Sequence, residues 1–163
     1  MWNIQTNTKI KQFRGHKGNI SSLAFSPDSN FLAYASKNDS SVRLWDISTK
    51  KLFREYREGT ESVTQMIFSP DGGILVTSRP NENFVQLMSV NTGTTKNYSV
   101  NRANTVGRRR TVFEDRYMVF SADGKNLAIA RKGNIVVFDV SNGQRVSSMA
   151  LHDEKTGDLS ITD

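Results

Sequence analysis

Apolar residues in this chain fall in short runs that alternate with small polar residues, and no window of useful length keeps the three- and four-residue spacing of a helix. Ile20 to Phe25 alternates in this way and is followed by Ser26-Pro27-Asp28, a turn sequence. Phe31 to Ala35 reads as a second strand, Lys37-Asn38-Asp39-Ser40 as a turn and Val42 to Trp45 as a third strand. Ser48-Thr49-Lys50 turns again, and Lys51 to Tyr56 is a fourth strand. Strands of four to six residues, spaced by about ten and separated by turn chemistry, predict an antiparallel meander. Further along, Asp71-Gly72-Gly73, Asn91-Thr92-Gly93, Lys132-Gly133-Asn134 and Ser141-Asn142-Gly143 supply the Gly and Asn that positive φ favours.

The meander repeats. Phe25-Ser26-Pro27-Asp28 returns as Phe68-Ser69-Pro70-Asp71 after 43 residues, and as Phe120-Ser121-Ala122-Asp123 after a further 52. A second ladder passes through Trp2-Asn3-Ile4, Trp45-Asp46-Ile47, Met88-Ser89-Val90 and Phe138-Asp139-Val140, with spacings of 43, 43 and 50. Two independent markers that keep one period define a repeating unit of four strands, the expected sequence of a propeller blade.

Residues 15–56 resemble a blade of the WD-repeat β-propeller family. Gly15-His16 opens the period, Ser26-Pro27-Asp28 closes its first strand, Asp39 stands six residues before Trp45, and Trp45-Asp46 ends the third strand. The next two periods are degenerate: Thr60 replaces the His, Met88-Ser89 and then Phe138-Asp139 replace Trp-Asp, and Lys132 takes the place of Asp39. The resemblance implies an all-β propeller and a non-catalytic scaffold that grips protein partners on one loop face. It also implies that His16, Asp39, Trp45 and Asp46 form a structural network, with Tyr34 where the family usually places a Ser or Thr. Trp2, Trp45, Phe138 and the aliphatic ladder are expected to pack blade against blade, and Asp28, Asp71 and Asp123 to shape turns.

The expected organisation is the end of a preceding blade over 1–14, full blades over 15–56, 57–100 and 101–150, and the start of another over 151–163. His152 falls where that next blade would open. Because propellers usually need about four to eight blades to close, this order predicts an open arc and a segment of a longer propeller. Such an arc exposes apolar faces and unpaired edges, so the isolated chain is expected to self-associate or to need further blades.

Composition narrows the chemistry. At 163 residues the chain is one domain's worth, with 36% hydrophobic residues distributed in runs. No apolar run approaches the roughly 20 residues that span a bilayer, and the N-terminus lacks the layout of a signal peptide, so the expected location is cytoplasmic or nuclear. With no Cys and two distant His, neither a metal site nor a cofactor is expected. No nucleophile–base grouping, phosphate-cradling Gly loop, or hydrolase or kinase signature is present, and enzyme activity is not expected.

The 22 Lys and Arg against 16 Asp and Glu leave a charge of +6. In a meander, successive turns lie at opposite ends. Sorting the charges accordingly leaves +5 on the face that carries the second-to-third-strand turns and the links between blades. The other face, with Asp28, Asp46, Asp71, Asp123 and Asp139, balances to zero. The candidate partner-binding residues are therefore Lys37, Arg79, Arg102, Arg108, Arg109, Arg110, Arg131 and Lys132. The densest part is 101–116, centred on Gly107-Arg108-Arg109-Arg110-Thr111, with Glu114-Asp115 as solvated partners of Arg. Arginine forks suit carboxylate or phosphate. The expected partner is a protein with acidic segments. A solvated loop whose Arg only improve solubility ranks next, and an anionic ligand, phosphoinositide or nucleic acid, is the further alternative. The Gly107-Arg108-Arg109-Arg110 order matches the Phe-Arg-Arg-Gly motif of phosphoinositide-binding propellers poorly, and few aromatic residues interleave with the basic ones as nucleic-acid binding favours. No small-molecule substrate is expected.

Overall fold

The computed structural model describes residues 1–9, 12, 18–37, 39–57, 62–80, 82–100, 117–131, 134–150 and 160–162. A short hairpin, β1 (Trp2–Asn3) and β2 (Thr8–Lys9), comes first. The first full sheet contains β3 (Ile20–Phe25), β4 (Phe31–Ser36), β5 (Asp39–Asp46) and β6 (Lys51–Arg57). The second contains β7 (Gln65–Phe68), β8 (Ile74–Ser78), β9 (Phe84–Ser89) and β10 (Thr95–Ser99). The third contains β11 (Tyr117–Phe120), β12 (Asn126–Arg131), β13 (Asn134–Asp139), β14 (Arg145–Ala150) and β15 (Ser160–Thr162).

Every pairing is antiparallel between sequential neighbours, so each sheet is the meander that the alternation predicts. No helix occurs among the described residues. The strand assignments agree with the sequence reading, although β5 begins at Asp39 rather than Val42. The larger difference is at the end of the chain. Residues 160–162 do not open a further sheet; they pair with β14, Met149 opposite Ile161, as a fifth strand of the third sheet. The physical reason is the open edge: β14 presents unpaired backbone groups, and a tethered extended segment satisfies them.

The same turn closes the first two strands of each sheet. Ser26 Oγ donates to Asp28 Oδ1 (2.5 Å) and accepts from the Phe31 amide (2.8 Å). Ser69, Asp71 and Ile74 repeat this arrangement (2.5 and 2.9 Å), as do Ser121, Asp123 and Asn126 (2.6 and 2.9 Å). The residue after the aspartate is left-handed in all three: Ser29 (φ 61°), Gly72 (φ 73°) and Gly124 (φ 72°).

Register gives each sheet two distinct faces. On one face of the second sheet, Met66, Phe68, Leu75 and Met88 pack on Ala33, Ala35, Val42, Leu44 and Tyr56 of the first sheet. On its other face, Val76, Val85, Leu87 and Tyr98 pack on Met118, Leu127, Ile129, Val136 and Phe138 of the third. The inner strands β3, β7 and β11 lie side by side in that order. A tyrosine latches each interface. Tyr56 Oη donates to the Ser89 carbonyl (2.9 Å), and Tyr98 Oη to the Val140 carbonyl (2.7 Å). The three sheets are thus consecutive blades of an open β-propeller, with no closed ring among the described residues.

Phe138 is buried between blades as expected. Trp2 is not: it is 60% exposed on the hairpin, where the described residues bring no blade to its outer side. Trp45, opposite Leu32, is half-buried on the outward face of the first sheet.

Candidate functional site

The alternation of turns sends the two sets of loops to opposite ends of the blades. At one end the carboxylates belong to the turns themselves. Hydrogen bonds from Ser26 and then the Asn30 amide hold the Asp28 carboxyl below the usual carboxylate range. Ser69 does the same for Asp71, Ser121 for Asp123 and Ser141 for Asp139. Asp46, expected in the His–Asp–Trp network, also caps a turn, accepting from Ser48 Oγ (2.7 Å) and the Thr49 amide (2.9 Å), which lowers its pKa. These carboxylates are structural: the donated hydrogen bonds favour their ionised form and tie each to its own turn.

Of the predicted binding residues, Lys37 and Arg79 follow β4 and β8 at the opposite end, where Arg131 closes β12. Lys37 follows β4 and is exposed, its amide donating to the Asn19 carbonyl (2.8 Å). Arg79 corrects the sequence reading. It follows β8 and is 1% exposed, with Nη1 3.4 Å from Glu82 Oε2 and 3.3 Å from Gln86 Oε1. A buried guanidinium requires such partners, so this cation serves the second blade rather than the displayed surface. Glu82 balances it, so setting the pair aside leaves the excess expected from the sequence unchanged. Arg57, the last residue of β6, reaches back to Glu55 (3.1 Å), which also meets Arg43 at 2.8 Å. Burial raises Glu55, but Arg57 and Arg43 outweigh it and hold the carboxyl below its ordinary range.

Arg131 is the last residue of β12, paired in register with Asn134. Arg102, Arg108, Arg109, Arg110 and Lys132 lie outside the described residues, as does His16. Asp39 is the first residue of β5, register partner of Ser36. Tyr34, assigned the network's hydroxyl position, lines the outward face of the first sheet with Leu23, Phe25 and Leu32. The hydroxyl buried beside Asp39 in the register is that of Ser36, which is fully enclosed. Its small size and place at the end of a strand were the available sequence signal, and the irregular register between Ala35 and Ser36 hid it.

Among the described residues, no three His, Cys, Asp or Glu side chains gather as a metal site. Of the predicted cations whose burial is described, Lys37 lies at the surface and Arg79 does not. A family model described as "WD domain, G-beta repeat" matches residues 7–46. That span runs from the β1–β2 hairpin to the end of β5. No curated protein matches the chain.

Proposed function

We propose that this partial WD-repeat propeller is a non-catalytic scaffold that holds protein partners with acidic segments against the end of its blades that carries Lys37, Arg131 and the 101–116 segment. WD repeats generally serve as protein-interaction scaffolds; the partner's acidity and the binding end are our own reading. One observation carries it. The aspartates at the opposite end are consumed by their own turns, through Ser26–Asp28, Ser69–Asp71 and Ser121–Asp123. The acid at that end therefore makes structure, while the +5 excess at the other end is left to attract. Five of those cations, Arg102, Arg108, Arg109, Arg110 and Arg116, belong to 101–116.

The test is capture of acidic peptides by the full chain and by a variant with Arg108, Arg109 and Arg110 changed to Ala. Binding that survives moderate salt and falls at least about tenfold in the variant supports the scaffold reading, since each lost charge-assisted hydrogen bond contributes about 1.5–3 kcal/mol. Binding to phosphoinositide vesicles or nucleic acid in place of peptide, lost steeply with salt, replaces it with the anionic-ligand reading. Independently, we propose that the exposed apolar faces of the outer blades make the chain self-associate or recruit further blades.

A further inference from the structure

The two outer faces of the arc are the two halves of the interface used between its own blades. One half is a set of four residues linked by register. It is Met66, Phe68, Leu75 and Met88 in the second blade, and Met118, Phe120, Leu127 and Phe138 in the third. Both sets are covered by the preceding blade. The first blade has the same set, Leu23, Phe25, Leu32 and Trp45, paired in the same register. There the inner positions are open, with Leu23 61% and Phe25 50% exposed. The β1–β2 hairpin stands beside this face, and the two bound a cleft of about 580 Å³ lined by Trp2, Leu23, Phe25, Leu32 and Tyr34.

The other half of the interface is equally regular. It is Ala24, Ala33, Val42 and Leu44 in the first blade and Ile67, Val76, Val85 and Leu87 in the second, all packed against the following blade. Its counterpart in the third blade is Val119, Ala128, Ile135 and Val137, matched by Val119 opposite Ala128 and Ala128 opposite Val137. Here Val119 is 63% exposed, as is its strand neighbour Tyr117 at 70%.

We infer that a second copy of this chain seats the outward face of its third blade on the outward face of the first blade, continuing the blade-to-blade interface across two molecules. This deepens the self-association reading by naming the two surfaces. Within the chain, Ala24 and Phe68 share one cluster, and Ile67 and Phe120 the other. By that rule Val119 of one copy lies against Phe25 of the next, and Tyr117 enters the cleft beside β3. Both halves reside on one chain, so the contact is heterologous, and two copies joined at both ends bring six full blades into one ring, each copy keeping its β1–β2 hairpin beside the first blade, within the usual range of about four to eight blades. The third blade places Met149, opposite Ile135, where the others carry Tyr56 and Tyr98. The new interface lacks the tyrosine latch that both interfaces within the chain carry and is weaker than either, so dilution separates the copies before it unfolds the blades.

Sedimentation of the full chain and of Phe25→Glu and Val119→Glu decides the matter. Both positions are exposed in the single chain, and circular dichroism verifies that each variant keeps the parent's sheet signal. Expected is a two-chain mass for the parent, a one-chain mass for either variant alone, and a two-chain mass again when the variants are mixed. Each variant retains the half that the other lacks. As a second reading, the absence of native cysteine lets Phe25→Cys and Val119→Cys be mixed and oxidised, and the mixed dimer should form in preference to either homodimer. A Val119→Glu chain that keeps the parent's mass while Phe25→Glu loses it overturns the head-to-tail contact in favour of one made by first blades alone. A parent that stays at one-chain mass overturns both this contact and self-association.

Discussion

Met66 and Leu23 occupy one position of the repeat, two residues before the Phe of the Phe-Ser-Pro-Asp motif, yet one is 4% exposed and the other 61%. Leu23 lies opposite Tyr34 as Met66 lies opposite Thr77, the equivalent position of the repeat. The difference is the neighbour: the second blade has the first packed against this face, while at Leu23 the described residues bring only the edge of a hairpin. Identical local sequence patterns therefore carry unequal energies, because burial is a property of the pair of blades and not of the strand. The comparison also covers the turns, where the first blade keeps Ser29 and Lys50 at positions the other blades give to glycine.

The comparison is broken most forcefully at its buried member. Met66→Ala should cost about 2–5 kcal/mol, the range for a large apolar side chain removed from a packed interior, whereas Leu23→Ala should stay within about 0.5 kcal/mol. Urea midpoints at one protein concentration, dilute enough for the chain to sediment at one-chain mass, measure both. Equal losses would mean that the two faces are equally covered.

Gly143 is the next target. Its φ is 73°, and a Cβ there would come within 2.6 Å of the Tyr98 ring, which crosses from the preceding blade to bond Val140. Gly143→Ala should cost about 1–3 kcal/mol from left-handed strain and displacement of the ring. Tyr98→Phe keeps the ring and removes only its hydrogen bond, so a smaller loss of about 1 kcal/mol is expected. If Tyr98→Phe proves the more damaging of the two, the latch rather than the packing holds the third blade.

Ser29→Gly sharpens the comparison of turns. The residue sits at φ 61° where Gly72 and Gly124 stand in the later blades, so the change should stabilise the chain by up to about 1 kcal/mol, with an unchanged denaturant slope. The smallest effects per residue come from the turn aspartates. Asp28, Asp71, Asp123 and Asp139 have lowered pKa values in the fold. Their contribution is present above the unfolded carboxylate range near about pH 4 and is lost as pH falls through the folded values. Stability should therefore decline on acidification below about pH 4. Asp71→Asn, which loses that titration, should flatten the slope; an unchanged slope would show that Ser69 does not hold the charge.

Much of the fold is legible because its signals are local. Alternation over 20–25, the Ser-Pro-Asp turns and the spacing of 43 act within one blade and placed the strands nearly to the residue. The candidate site was less legible. Arg79 reads as a surface cation beside Pro80, since nothing nearby in sequence announces that Gln86 and Glu82 enclose it. Tyr34 and Ser36 are both hydroxyls on β4, and which one is enclosed beside Asp39 depends on a one-residue irregularity in the ladder.

By itself, the sequence determined the period, the meander and the turn chemistry, because alternation, positive φ and a serine two residues before an aspartate operate over distances the chain spans in a few residues. Tertiary structure alone decided which of three equivalent faces is covered, that β15 adds to the third sheet, and that Arg79 turns inward. Each of these depends on groups brought together from elsewhere in the fold. The energy of burial and of pairing is settled by what arrives on the other side.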